Sequence, residues 1–514
     1  MLLSEMGTLA VMGCVEVRLG YESVFPAGTG LILALVWLGA AAGPALWARL
    51  GGGRKVPAGF RCLRPVIGTA LCALVLKALA TPFSWRQACA FALMVLAVLG
   101  LIRILLGLIA RSRELDRWEG ARLGLAQGAA LFAVHPYVRS GLLGAGDASS
   151  YSLMVADFLA QIRAGIFPVL IGQSPFAFSG GFHPTRNAPF LQHLAGLIDL
   201  LGLGTFNVFA LLNLAILASM AGAVLGCYAA LRILMPKGAW AALALAFLYG
   251  LCPGALAPLY GGDMVPTFMT LPFLPWLVLG IAKSAAEPLR TGPWVLQGTA
   301  LAALWLAHPP VAAWATFLAA AAGTATVIRA RRGRVLGGVL CALVLFLALA
   351  GFLFVSVAEL TLPVVKRPDA LATIDFKMGI LRGAWAQSLR PVSQEGSNLL
   401  GDLQLGYGLW IGLVAAAAAA ARERAGRTLL GCFALVLLFA WPIPVATRLA
   451  WSLLPTQLLA VTNQWPVERF YVLLDALAVF IIGAALSRSA SPGRGQRIFL
   501  AAVLAGACLG CAAE

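Results

Sequence analysis

The sequence predicts an all-α, polytopic integral membrane protein with about 12–14 transmembrane helices. The chain of 514 residues is 61% hydrophobic and only 11% charged, whereas soluble domains usually contain about 25% charged residues. Its mean hydropathy is +0.91. Apolar stretches long enough to cross a bilayer recur along the chain, and short basic runs separate them, which is typical of orientation signals.

The apolar stretches follow one another from the first fifty residues to the end of the chain. We assign fourteen segments, two of them short, at 28–48, 65–82, 87–110, 123–142, 205–231, 239–257, 265–282, 296–307, 311–328, 335–357, 405–421, 428–441, 467–487 and 498–513.

The basic residues predict how these segments are oriented. If the two segments around His308 both cross the membrane, alternate connections contain 23 of the 37 lysines and arginines. Short loops rich in Lys and Arg stay in the cytoplasm. We therefore expect both termini outside, together with two long connections at 143–204 and 358–404.

The first long connection contains a pattern that predicts a short amphipathic helix at 150–164. We expect this helix to lie on the membrane surface through an apolar stripe of Leu153, Val155, Ala156, Leu159, Ala160 and Ile162.

Several function classes find no support in the sequence. The net charge of +17 is spread over orientation signals, so nucleic acid is not an expected partner. No P-loop, dinucleotide-binding or H-E-x-x-H motif occurs. The cysteines lie mostly in apolar segments and behave there as small hydrophobic residues.

Two acidic residues follow predicted spans on the outer side. Asp147 lies in a Gly-rich turn, where its carboxylate would accept a proton from a sugar hydroxyl, hold a metal ion or cap the amphipathic helix. Asp263 lies in the turn of residues 260–266 and would share that metal or hydroxyl, unless it is only a polar turn tip.

Basic and imidazole groups are expected on the same side. Pro309 and Pro310 should break the chain after His308 and leave its imidazole lining a cavity, or else at the apex of a plain helical hairpin. Arg469 would hold a phosphate bidentately, or would anchor the last long span at the interface together with Glu468. Further phosphate candidates are Lys366 and Arg367, and Asp475 is an acid within the span.

Three short elements resemble the GT-C superfamily of membrane glycosyltransferases, and within it the bacterial membrane proteins labelled 6-pyruvoyl-tetrahydropterin synthase-related. They are Gly146-Asp147 followed by the amphipathic helix and Gly165-Ile166-Phe167-Pro168, then Leu306-Ala307-His308-Pro309, and finally Trp465-Pro466-Val467-Glu468-Arg469-Phe470. Tyr151 stands near the place where relatives often have a histidine, and we count it among the substrate-binding candidates. Three extra apolar segments suggest an added unit at 1–122 before a GT-C-like domain at 123–514.

The resemblance implies a glycosyltransferase of the bacterial inner membrane with its active face outside. It would transfer a sugar from a polyprenyl-phosphate donor to a glycan, lipid or protein acceptor, with inversion. Asp147 would be the general base, Asp263 would assist it or help it hold Mg²⁺ or Mn²⁺, and Arg469 and His308 would bind the donor phosphate. The alternatives are a transporter or flippase of lipid-linked glycans, and an assembly factor without chemistry.

Overall fold

The structure is a computed structural model that describes residues 119–138, 141–142, 148–166, 169, 189–260, 264–331, 333–356, 374–375, 378–379, 405–441, 443–454 and 467–487. All regular secondary structure in these residues is helical. The predicted segments 28–48, 65–82, 87–110 and 498–513 lie outside them, as does the predicted unit 1–122 except for its last four residues.

The helices are numbered in chain order. They are α1 Glu119–Ala133, α2 Ala148–Arg163, α3 Pro189–Leu201, α4 Val208–Leu234, α5 Ala239–Leu251, α6 Pro253–Tyr260, α7 Val265–Phe268, α8 Leu274–Ala286, α9 Thr291–Ala307, α10 Pro309–Ala330, α11 Gly333–Ser356, α12 Tyr407–Ala420, α13 Arg424–Ala440, α14 Pro444–Ser452 and α15 Val467–Ser487. A short 3₁₀ helix, His135–Tyr137, follows α1.

The described residues contain five helices that are long and apolar enough to cross a membrane. They are α4, the α5–α6 pair, α10, α11 and α15. A sixth is added if α13 and α14, which bend by 95° at their junction, form one span. Together they make the chain a multi-pass membrane protein.

Helix α15 forms the centre of the bundle, and α11 lies at its edge. In α15, 83% of the apolar stretch is buried, against 17% in α11. Helix α15 contacts α4, α5, α6, α8, α10, α12 and α13. A helix that is apolar on every side belongs inside such a bundle, whereas the leucines of α11 are left to face lipid.

Small residues let α9 and α11 pack side by side. A Cβ atom added at Gly298 would lie 2.5 Å from the backbone oxygen of Ala342, and one added at Gly338 would lie 2.4 Å from the Trp294 ring. Close backbone approach at small residues is a common way for membrane helices to associate. The two helices run in the same direction because α10 returns the chain between them.

Charged residues predicted to be cytoplasmic come together at one end of the bundle. The carboxylate of Glu119 accepts hydrogen bonds from Arg122, Tyr228 and Arg232. Short connections reverse the chain between successive long helices, so Arg290, Arg329 and Arg424 lie at the same end. We call this end the basic end, and the opposite one the His308 end.

The structure corrects two sequence predictions in the first long connection. The helix predicted at 150–164 is present as α2, but the residues of the predicted stripe do not share one face, because Val155 and Leu159 are buried in the protein whereas Leu153 and Ala160 are exposed. Leu153 is 56% exposed, while Asp157 and Gln161 are buried and hydrogen-bonded to each other at 3.0 Å. The sequence prediction also missed α3, an apolar helix of 13 residues in the same connection.

A third correction concerns the segment predicted as one span at 265–282. The structure divides it into the short helix α7, a turn at 269–273 and α8. Pro266, Pro272 and Pro275 account for the break, because proline cannot donate a backbone hydrogen bond within a helix.

Candidate functional site

His308 lies at the apex between α9 and α10, where the prolines were predicted to break the chain. Its backbone is extended, with φ −160° and ψ 101°, as expected for a residue before proline. Pro309 and Pro310 occupy the first turn of α10. Proline fits there because the backbone N–H groups of a first turn have no acceptor within the helix. The predicted break is therefore confirmed, and it leaves the half-buried imidazole of His308 at the end of the bundle.

The imidazole of His308 contacts α7, the short helix that follows α6. Its Nδ1 atom lies 3.3 Å from the hydroxyl oxygen of Thr267 in α7. Asp263 precedes Thr267 by four residues in the sequence. The contact therefore links the His308 apex to the connection in which Asp263 occurs.

The connection leading to Asp147 begins beside the same region. The hydroxyl of Tyr260, the last residue of α6, donates to the carbonyl oxygen of Ala133 at the end of α1, over 2.7 Å. The rings of Tyr137 and Tyr260 lie 5.8 Å apart. The ends of α1 and α6 are thus hydrogen-bonded to each other. The connections that contain Asp147 and Asp263 therefore start next to each other.

Four aromatic side chains form a cluster that fixes the beginning of α15. This aromatic cluster consists of Trp314, Phe439, Trp451 and Phe470, with ring centroids between 4.8 and 6.1 Å apart. Trp314 is six residues after His308, which is about 9 Å along a helix axis. Phe470, the residue after Arg469, therefore packs about 1.7 helical turns from the His308 apex.

A polar layer lies between α2 and α3. Arg163 pairs with Asp199 at 2.8 Å, and the Nδ1 atom of His193 lies 2.6 Å from the carbonyl oxygen of Pro189. Asp157 is a further buried polar residue of α2, which we did not single out from the sequence. The available signal was its spacing of four residues from Gln161, which puts both side chains on one helix face.

The predicted site residues are described to different extents. Tyr151 is half-buried in α2 and packs against the apolar core. Glu468 and Arg469 belong to the first turn of α15, but their side chains are outside the described residues, as are Asp147, Asp263, Lys366 and Arg367 altogether. Helix α2 begins at the residue after Asp147, so the capping alternative stays open beside the catalytic one. Among the described residues, no group of three His, Cys, Asp or Glu side chains is arranged to hold a metal ion.

Asp475 is an acid enclosed in the centre of the bundle. Its side chain is fully buried, and no N–H or O–H group of the described residues donates to its carboxylate. The thiol of Cys252 lies beside this carboxylate and also donates to the carbonyl oxygen of Tyr249 at 3.3 Å. That carbonyl lacks its helical partner because Pro253 has no N–H. Gly254 leaves the space that the carboxylate occupies.

The fold and the apolar helices define the class of the protein as a multi-pass α-helical membrane protein. Comparison with known proteins adds no narrower assignment, because no protein-family model, curated protein or solved structure matches the chain.

Proposed function

We propose that the chain is a membrane glycosyltransferase that uses a polyprenyl-phosphate sugar and acts at the His308 end of the bundle. Asp147 removes the proton from the acceptor hydroxyl, with Asp263 assisting it or sharing a divalent cation with it. Arg469 and His308 hold the donor phosphate.

The observation that supports this proposal is the convergence of separate connections at one end. A hydrogen bond joins the end of α1 to the end of α6. The chain continues from α1 to Asp147 and from α6 to Asp263. His308 contacts α7, which follows Asp263. A transfer site needs a base for the acceptor and cationic groups for the leaving phosphate within one small region.

The proposed reaction balances with these groups. The acceptor oxygen loses its proton to the Asp147 carboxylate and forms a bond to the anomeric carbon of the sugar. The bond from that carbon to the lipid phosphate breaks on the opposite face, so the configuration inverts. The leaving phosphate keeps the electron pair, and a guanidinium stabilises the added charge through bidentate hydrogen bonds.

The experiment is transfer from a radiolabelled polyprenyl-phosphate hexose in membranes containing the protein. We expect Asp147→Asn to abolish transfer while the protein still inserts, because an amide cannot accept the proton. Glu287→Gln changes an acid at the basic end and should retain full activity. Wild-type transfer by Asp147→Asn would remove Asp147 from the mechanism.

Transport of a lipid-linked glycan is a second candidate, and Asp475 is the observation that favours it. Ionisable residues within membrane segments commonly mark translocation paths. A flippase would move a fluorescent lipid-linked sugar across vesicles without breaking its phosphate bond, and Asp475→Asn would slow that movement. Release of polyprenyl phosphate together with glycosylated acceptor supports the transferase instead.

A further inference from the structure

The basic end contains a cavity that lies away from the proposed catalytic region. The connection between α8 and α9, the last turn of α10 and the first turn of α13 surround a volume of about 500 Å³. This volume is in the range of small-ligand sites, about 300–1,000 Å³. Four arginines and one glutamate supply its charged lining, namely Arg290, Arg329, Arg424, Arg427 and Glu287.

The positive charge of this arginine cavity is mostly uncompensated within the described part of the chain. Glu287 is already paired with Arg290 at 2.9 Å and with Lys283 at 3.8 Å. No described acid forms an ion pair with Arg329, Arg424 or Arg427. Three guanidinium groups therefore line one volume without an ion-pair partner among the described residues.

Two of these guanidinium groups are held in position by hydrogen bonds. Arg329 donates to the hydroxyl of Thr428, and Arg427 donates to the carbonyl oxygen of Ala421, both at 3.2 Å. Each bond uses one of the five N–H groups of an arginine, so the others can bind an anion.

Arg424 and Arg427 lie just after Glu423, the N-cap residue of α13, at the helix end that is least favourable for cations. Both lie in the first turn of α13, where the helix dipole favours negative groups and disfavours cations. The free backbone N–H groups of that turn add to the attraction for an anion. The helix and the side chains thus favour the same kind of ligand.

Apolar side chains beside the cavity indicate that the anion belongs to a lipid. Leu289 lines the cavity and is 49% exposed, and Ile328, next to Arg329, is 67% exposed. Phosphate groups of lipids lie at the depth where membrane helices end, and basic pockets between such helices bind them. We propose that the arginine cavity binds the phosphate headgroup of an anionic phospholipid, whose acyl chains lie along the exposed side of α10.

The test is lipid binding by delipidated full-length protein in neutral detergent, measured by native mass spectrometry. The probes are phosphatidylglycerol, phosphatidylcholine with the same acyl chains, and inorganic phosphate. We expect phosphatidylglycerol to bind at least about tenfold more tightly than phosphatidylcholine, and Arg424→Gln/Arg427→Gln to remove that preference.

The matched control is Lys237→Gln/Arg334→Gln, which removes two positive charges outside the cavity. These side chains are exposed, and neither lines the cavity. The control should change phosphatidylglycerol binding less than about twofold. If the cavity variant fails to fold, Arg329→Gln takes its place, and we expect it to weaken phosphatidylglycerol binding about fivefold.

Three results would overturn the inference. Equal loss in the cavity and control variants would indicate unspecific charge attraction. Displacement of the lipid by millimolar inorganic phosphate would assign the cavity to a soluble anion. Equal binding of the two phospholipids would show that the headgroup charge is not recognised.

Discussion

Replacing Glu119 with glutamine tests the buried charge cluster at the basic end. The side chains of Glu119, Arg122 and Arg232 are 2%, 1% and 3% exposed. The carboxylate accepts four hydrogen bonds, two of them from Arg232. Glutamine has nearly the same shape, but the substitution removes the one negative charge that the described residues place between two enclosed guanidinium groups.

The expected loss follows from the burial of these groups. Removing one partner of a buried ion pair costs about 3–5 kcal/mol, because the remaining charge is left uncompensated. The amide oxygen of glutamine still accepts part of the hydrogen bonding, so we expect the lower value, about 3 kcal/mol. That is a large share of a typical unfolding free energy of about 5–15 kcal/mol.

The measurement is the unfolding free energy in mixed micelles with increasing SDS, followed by tryptophan fluorescence. Glu287→Gln is the matched control, because its partner Arg290 is 77% exposed and exposed pairs contribute only about 0–1 kcal/mol. An unfolding free energy of Glu119→Gln equal to that of Glu287→Gln, or within about 1 kcal/mol of the wild type, would show that the buried charge cluster does not stabilise the fold.

Three further predictions concern packing and orientation. Gly298→Ala should lower the unfolding free energy by about 1–3 kcal/mol, because the added methyl group pushes α9 away from α11. The methyl group of Gly292→Ala has no atom within 4 Å, so this variant should be neutral in the same unfolding assay. Trp314→Ala should cost about 3–5 kcal/mol by emptying the aromatic cluster; a loss below about 1 kcal/mol would contradict the packing. A cysteine replacing Gly180 should react with a membrane-impermeant thiol reagent on intact cells, and one replacing Arg331 should not. The reverse pattern would invert the orientation.

The sequence predicts best those helices whose boundaries depend on local composition. Helix α15 spans residues 467–487, the bounds assigned from the apolar run. Leu153, which is exposed, shows the limit of this approach, because the position of neighbouring helices decides which face of α2 is buried. Asp157 can be buried because Gln161 satisfies it, and a hydropathy pattern does not record that hydrogen bond.

The candidate site was predictable in its parts but not in its contacts. The prolines after His308 indicated a break, and the structure has one. The contact between His308 and Thr267 joins residues 41 positions apart. Neither sequence segment by itself indicates that the other lies next to it. The bond from Tyr260 to Ala133 spans 127 positions, so only the assembled bundle reveals that these connections begin together.

The charge cluster around Glu119 also has a consequence for how the protein is made. Arg232 follows Glu119 by 113 residues, which a ribosome adds in roughly 6–23 s at 5–20 residues per second. The predicted orientation places Arg122 and Arg232 in cytoplasmic loops, where each is a separate topogenic signal during that interval. Once α4 has been inserted, Glu119 accepts hydrogen bonds from both arginines, and its single charge compensates one of their two positive charges. In the folded bundle the same two arginines help to join α1 to α4.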